Sequence, residues 1–87
     1  MTTTMQKAEI ERLLKGIIKE MHPYYEEIKP VVFICGAYIY IGVNYDKFGK
    51  IATVDGQLVA MGDGIEKKVD TIEDGIRTLV KSYFRIY

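Results

Sequence analysis

The feature that most constrains this chain is the run "VVFICGAYIYIGV" at residues 31–43, which carries no charge and is rich in β-branched and aromatic side chains. That composition predicts a β-strand. It is too short for a membrane-spanning helix and contains two glycines. Read as one strand, its odd positions Val31, Phe33, Cys35, Ala37, Ile39, Ile41 and Val43 form an apolar core face. The even positions Val32, Ile34, Gly36, Tyr38, Tyr40 and Gly42, with Asn44 beyond, are aromatic and glycine-rich, again without a charge. A strand with two such faces needs cover on both sides. The rest of the chain must supply it, or another molecule must.

The flanking segments supply two helices. From Met5 to Met21, apolar residues recur at three- and four-residue spacing through Ile10, Leu13, Leu14, Ile17 and Ile18, with Lys7, Glu11, Lys15 and Lys19 opposite. Thr3 with Gln6 suits a capping box, and Pro23 ends the helix near His22. At the other end, Asp70 with Glu73 marks a helix start, and Ile72, Ile76, Leu79, Val80, Tyr83 and Phe84 form one stripe. Between the helices, "DKFG" (46–49) reads as a bulged turn and "DG" (55–56) as a tight hairpin turn. "GDG" (62–64) is a further turn, and "IEKKV" (65–69) a fourth, edge strand whose lysines discourage aggregation.

The "DG" turn pairs Val54 with Gln57, Ala52 with Val59 and Lys50 with Met61 on one face, and Thr53 with Leu58 and Ile51 with Ala60 on the other. A three-residue bulged first loop sets Ile51, Thr53, Leu58 and Ala60 beside the odd positions of the long strand. The expected architecture is a single α+β domain over residues 1–87. It is a two-layer sandwich in the order helix, three or four antiparallel strands in a meander, helix, with both helices on one sheet face. That leaves Ile34, Tyr38, Tyr40, Val54, Val59 and Met61 as an uncovered patch, the kind of surface that marks an interaction site.

Chemistry is sparsely provided. Twelve basic residues balance twelve acidic ones, so the chain exerts no long-range field on nucleic acid or anionic membrane. The only thiol, Cys35, falls on the expected inward face and reads as an inert small hydrophobe. The only imidazole, His22, sits at a helix end, and the two together make neither a catalytic pair nor a zinc site. "NYDKFGKIATVD" (44–55) tracks a calcium loop only in part, with Phe48 at a ligand position. No cofactor, metal or catalytic residue is expected. The unpaired cysteine and the polar start "MTTTMQKAEI" point to a cytoplasmic protein.

Gly62 and Gly64 precede the lysine pair Lys67 and Lys68 ahead of the last helix, within an order of helix, three strands, helix. In these features the chain resembles the double-stranded-RNA-binding domain. The resemblance implies phosphate and 2′-hydroxyl contacts by Lys67 and Lys68. Against it stand Asp70, Glu73 and Asp74 at the helix start and the zero net charge. A base-stacking platform of Tyr24, Tyr25, Tyr38, Tyr40 and Tyr45 would call for a basic rim, and the sheet face offers mainly Lys50. The leading expectation is a non-catalytic protein-interaction module, a homodimer or a subunit docking through its Tyr-rich face. A nucleic-acid-binding domain and a small-ligand binder, with its pocket at the "GDG" turn or a subunit boundary, are the alternatives.

Overall fold

A computed structural model describes residues 6–24, 26–62 and 64–84. In chain order the elements are α1 (Lys7–Met21), β1 (Pro30–Cys35), β2 (Tyr38–Val43), β3 (Asp46–Val54), β4 (Gln57–Gly62), β5 (Ile65–Val69) and α2 (Ile72–Phe84). The strands form one antiparallel sheet in sequential order, and both helices pack on the same face of it. The α+β sandwich holds, with five strands in place of three or four.

The extra strand comes from splitting the uncharged run. Residues 31–43 do not form one long strand; they fold back at Gly36 and Ala37, so that Cys35 pairs with Tyr38 and Val32 with Ile41. Gly36 has φ +58°, as the first central position of a two-residue type II′ turn requires. A two-residue loop reverses parity across the hairpin. In β1 the helix-facing residues are therefore the even ones, Val32 and Ile34, while Phe33 and Cys35 turn to the opposite face. Cys35 is exposed, not inward and buried.

The next connection also differs from the sequence reading. The turn lies at Asn44 and Tyr45, with φ of 49° and 74°, a type I′ geometry, and "DKFG" belongs to β3. Asn44 suits this position because its side chain also ties down the connector. Its Nδ2 donates to the Glu27 carbonyl at 2.8 Å and its Oδ1 accepts from the Lys29 N–H at 2.8 Å. Register then shifts at a β-bulge, with Gly42 opposite Lys47 and Ile41 opposite Gly49, leaving Phe48 extra. A two-residue loop plus one bulged residue has the same parity as the expected three-residue loop. Ile51 accordingly joins Ile39 on the helix face, and the β3–β4 pairs are those that the "DG" turn implies.

The core lies between sheet and helices. Ile10, Leu14 and Ile18 of α1 and Ile76, Leu79 and Val80 of α2 are fully buried against Val32, Ile41 and Ile51. α1 covers β1, whereas α2 covers β3, β4 and β5 and touches α1. Thr71, one residue later than expected, caps α2: its Oγ1 accepts from the Asp74 N–H at 3.0 Å. At α1 the Glu9 carboxylate accepts from the Gln6 N–H at 3.2 Å, and Thr3 lies outside the described residues. Gly16 is exposed, and a β-carbon added there would have no described residue outside its own helix backbone within 4 Å.

Candidate interaction face

The face of the sheet turned away from the helices is built from alternate residues of all five strands. By register, Phe33, Tyr38, Tyr40, Lys47, Lys50, Ala52, Val54, Val59, Met61 and Lys68 share it. Phe33, Tyr38 and Val54 are 55%, 42% and 47% exposed, an unusual degree for large apolar side chains within strands. Ala52, opposite Tyr38, and Val59, opposite Ala52, are buried by their neighbours.

The aromatic rings are contiguous. Phe33 and Tyr40 have centroids 6.4 Å apart, and Tyr38 and Tyr40 6.2 Å apart, both pairs tilted. Two ammonium groups lie over them. Lys47 Nζ is 5.5 Å from the Tyr40 centroid and 5.8 Å from that of Phe33, while Lys50 Nζ is 4.9 Å from Tyr38 and 5.8 Å from Tyr40. These are cation–π distances. Lys47 reaches this face only because of the bulge. An unbroken β3 would put odd-numbered Lys47 with Gly49 and Ile51 on the helix side, but the extra residue sends Phe48 inward, 4.7 Å from Tyr83, and Lys47 outward.

The bulge in turn depends on Gly42. A β-carbon there would collide with the Asp46 carbonyl oxygen and stand 2.7 Å from the Lys47 Cα. Across the rest of the face, Lys68 lies opposite Val59 and Glu66 opposite Met61. Among the described residues three lysines thus stand against one glutamate on this face, in a chain whose overall balance is neutral.

Of the six residues expected on the open face, Tyr38, Tyr40, Val54, Val59 and Met61 are there. Ile34 is not. It pairs with Ile39 on the helix side, because the Gly36–Ala37 turn reverses the parity of β1, and Phe33 takes the corresponding outer place. Phe33, Lys47 and Lys68 are members of the patch that the sequence reading did not place there, the last because β5 pairs Lys68 with Val59. The first follows from reading "GA" as a turn, whereas nothing in local composition marks the bulge that places the second. Among the other tyrosines, Tyr24 and Tyr45 are exposed in the connector and the β2–β3 turn, outside the strands, and Tyr25 lies outside the described residues.

Lys67 and Lys68 lie within β5, opposite Ala60 and Val59, and so face opposite sides of the sheet. The paired lysines at a helix start, which the likeness to the double-stranded-RNA-binding domain implies, are not formed. His22 packs its ring on Phe84 at 4.3 Å in the helical layer, and Cys35 is on the other face of the sheet. Among the described residues no cluster of His, Cys, Asp and Glu could hold a metal ion. Asp46, from the partial calcium motif, instead accepts a hydrogen bond from the Tyr83 hydroxyl at 3.3 Å.

On the helix side a groove of about 1400 Å³ runs between α1, the start of α2 and the tips of the β1–β2 and β3–β4 hairpins. Leu13, Ile17, Ile34, Ile39, Leu58 and Ile72 line it, and Arg77 stands at its rim. Arg77 is held by Glu20 at 2.8 Å and Glu73 at 3.2 Å, and these hydrogen bonds, Glu20 first, raise its affinity for its proton. The "GDG" turn, where a ligand pocket was expected, is at the opposite end of β4. No described helix is long and apolar enough to cross a membrane. Neither a family model, a curated protein nor a solved structure matches this chain.

Proposed function

We propose that this chain is a small, non-catalytic interaction module that docks a macromolecular partner on the open face of its sheet. One observation carries the reading: both helices lie on the same face, so that among the described residues no helix covers Phe33, Tyr38, Tyr40 and Val54 on the other. Aromatic side chains presented this way combine large contact area with little conformational entropy to lose. A cytosolic setting, in which a free Cys35 stays reduced, belongs to the same reading.

A second copy of the chain is the simplest occupant, giving the homodimer that the sequence suggests. The lysines weigh against it. A two-fold contact centred on Tyr40 brings Lys47 and Lys50 of both copies together, and apposed like charges are costly at an interface. A partner that offers negative charge suits the face better.

The test is comparative co-purification from the native host together with sedimentation equilibrium, using the wild type, Tyr40→Glu and Glu11→Lys. Tyr40→Glu puts an acid into the centre of the patch, and Glu11→Lys alters α1 on the other side of the molecule. The expected result is a partner retained by the wild type and by Glu11→Lys and lost by Tyr40→Glu. A partner held equally by all three proteins places the docking surface elsewhere. A wild-type dimer that Tyr40→Glu splits identifies the occupant as a second copy.

A further inference from the structure

Resting on the reading of the open face as the docking surface, we infer that its ligand is single-stranded nucleic acid, with bases stacked on Phe33, Tyr38 and Tyr40 and phosphates held by Lys47 and Lys50. Zero net charge counts against nucleic acid at the level of the whole chain. At the level of this face it does not, because the bulge delivers a second lysine to the aromatic array and leaves Glu66, at the edge strand, as the only acid on the face among the described residues. Three rings in a row with centroids 6.2 Å and 6.4 Å apart offer separate stacking surfaces. A sheet that stacks two or three bases on its aromatics, beside cations that follow the backbone, is an established way for a protein to hold a single strand.

The cation–π contacts are compatible with this role. Lys47 is exposed and Lys50 half-buried, and their flexible four-carbon stems let the ammonium groups swing to phosphates while bases take the ring faces. Until then the contacts hold positive charge over the platform. A duplex cannot use the surface in this way, since its bases are already stacked on one another. Recognition without hydrogen bonds to base edges predicts tolerance of sequence. Neither sugar is favoured by the residues present, so RNA and DNA share one proposal.

Fluorescence anisotropy with labelled oligouridine and oligothymidine of about 12 nucleotides, and a duplex of equal length, tests the inference. Saturable single-strand binding at low salt is expected, with the duplex weaker. Tyr38→Ala and Tyr40→Ala should each weaken it about 5- to 150-fold, and Tyr38→Phe should retain it. Lys47→Ala and Lys50→Ala should each flatten the plot of log affinity against log salt by about 0.7, whereas Lys15→Ala, on α1, should not. Circular dichroism checks that each variant is folded.

Binding of either oligonucleotide with this pattern supports the inference, and the preferred sugar assigns the source. It is overturned by absence of saturable binding, by a duplex bound as tightly as the single strand, or by indifference to both tyrosine truncations. Failure of the oligonucleotides while Tyr40→Glu still loses its co-purified partner overturns this inference alone. Failure of both removes the open face as a working surface.

Discussion

Lys47 and Gly42 are paired across the β2–β3 bulge, and each accounts for the other: the missing β-carbon of Gly42 makes room for the Asp46 carbonyl and the Lys47 Cα, and the bulge so formed turns Lys47 over Tyr40. A single glycine thereby links the packing of Phe48 in the core to the charge of the open face. The two sides of the sheet are coupled through it.

Gly42→Ala should therefore be a costly methyl group. The obstruction is backbone, which cannot rotate away, so a loss of about 1 to 3 kcal/mol is expected in urea denaturation. Gly16→Ala is the opposite case. Nothing stands within 4 Å of its missing β-carbon, and alanine there should stabilise the exposed middle of α1 by about 0.5 to 1 kcal/mol. Equal effects of the two substitutions would contradict the placement of one glycine or the other.

The helices and the β3–β4 hairpin were legible because each rests on local, repeated signals. Ile10, Leu14, Ile17 and Ile18 follow the helical period, and Asp55–Gly56 fixes a register that every later pair obeys. The uncharged run misled because alternation tells strand from helix but does not tell one strand from two. Ile34 and Tyr38 share a parity in the sequence and lie on opposite faces in the fold, separated by a two-residue turn that charge and hydropathy do not mark. Lys47 was hidden for a different reason. Its direction depends on a bulge whose cause, the contact of Gly42 with Asp46, is a matter of three-dimensional packing.

Thr71 supplies the cap of α2, and Asp70 precedes it without that role. Thr71→Ala should cost about 0.5 to 2 kcal/mol by removing the acceptor of the Asp74 N–H, and Asp70→Ala should cost less. Thermal melts of the two variants decide between them. The reverse order would restore the sequence-based assignment of the cap.

Leu79 is buried where α2 meets the sheet, and its methyl groups occupy the space that β-carbons on Gly49 and Gly62 would need. Leu79→Ala should leave a cavity at the centre of a small core and cost about 2 to 5 kcal/mol. For so short a domain that is a large share of the total. A melt unchanged by the substitution would mean that α2 is not packed on β3 and β4.

Cys35 reports on the open face itself. It is exposed and pairs with Tyr38 at the turn end of β1, so a thiol reagent should label it in native buffer without prior unfolding. This reverses the expectation from a single long strand, in which Cys35 is shielded. Labelling that becomes fast only in denaturant would put residue 35 back on the helix side and undo the Gly36–Ala37 hairpin. Given fast labelling, the same residue can sense occupancy. A ligand stacked on Tyr38 crowds the neighbouring thiol, and saturating single-stranded oligonucleotide should slow the reaction several-fold, whereas a ligand in the helix-side groove should leave its rate unchanged. An unaltered rate with an oligonucleotide known to be bound would place that binding away from Tyr38.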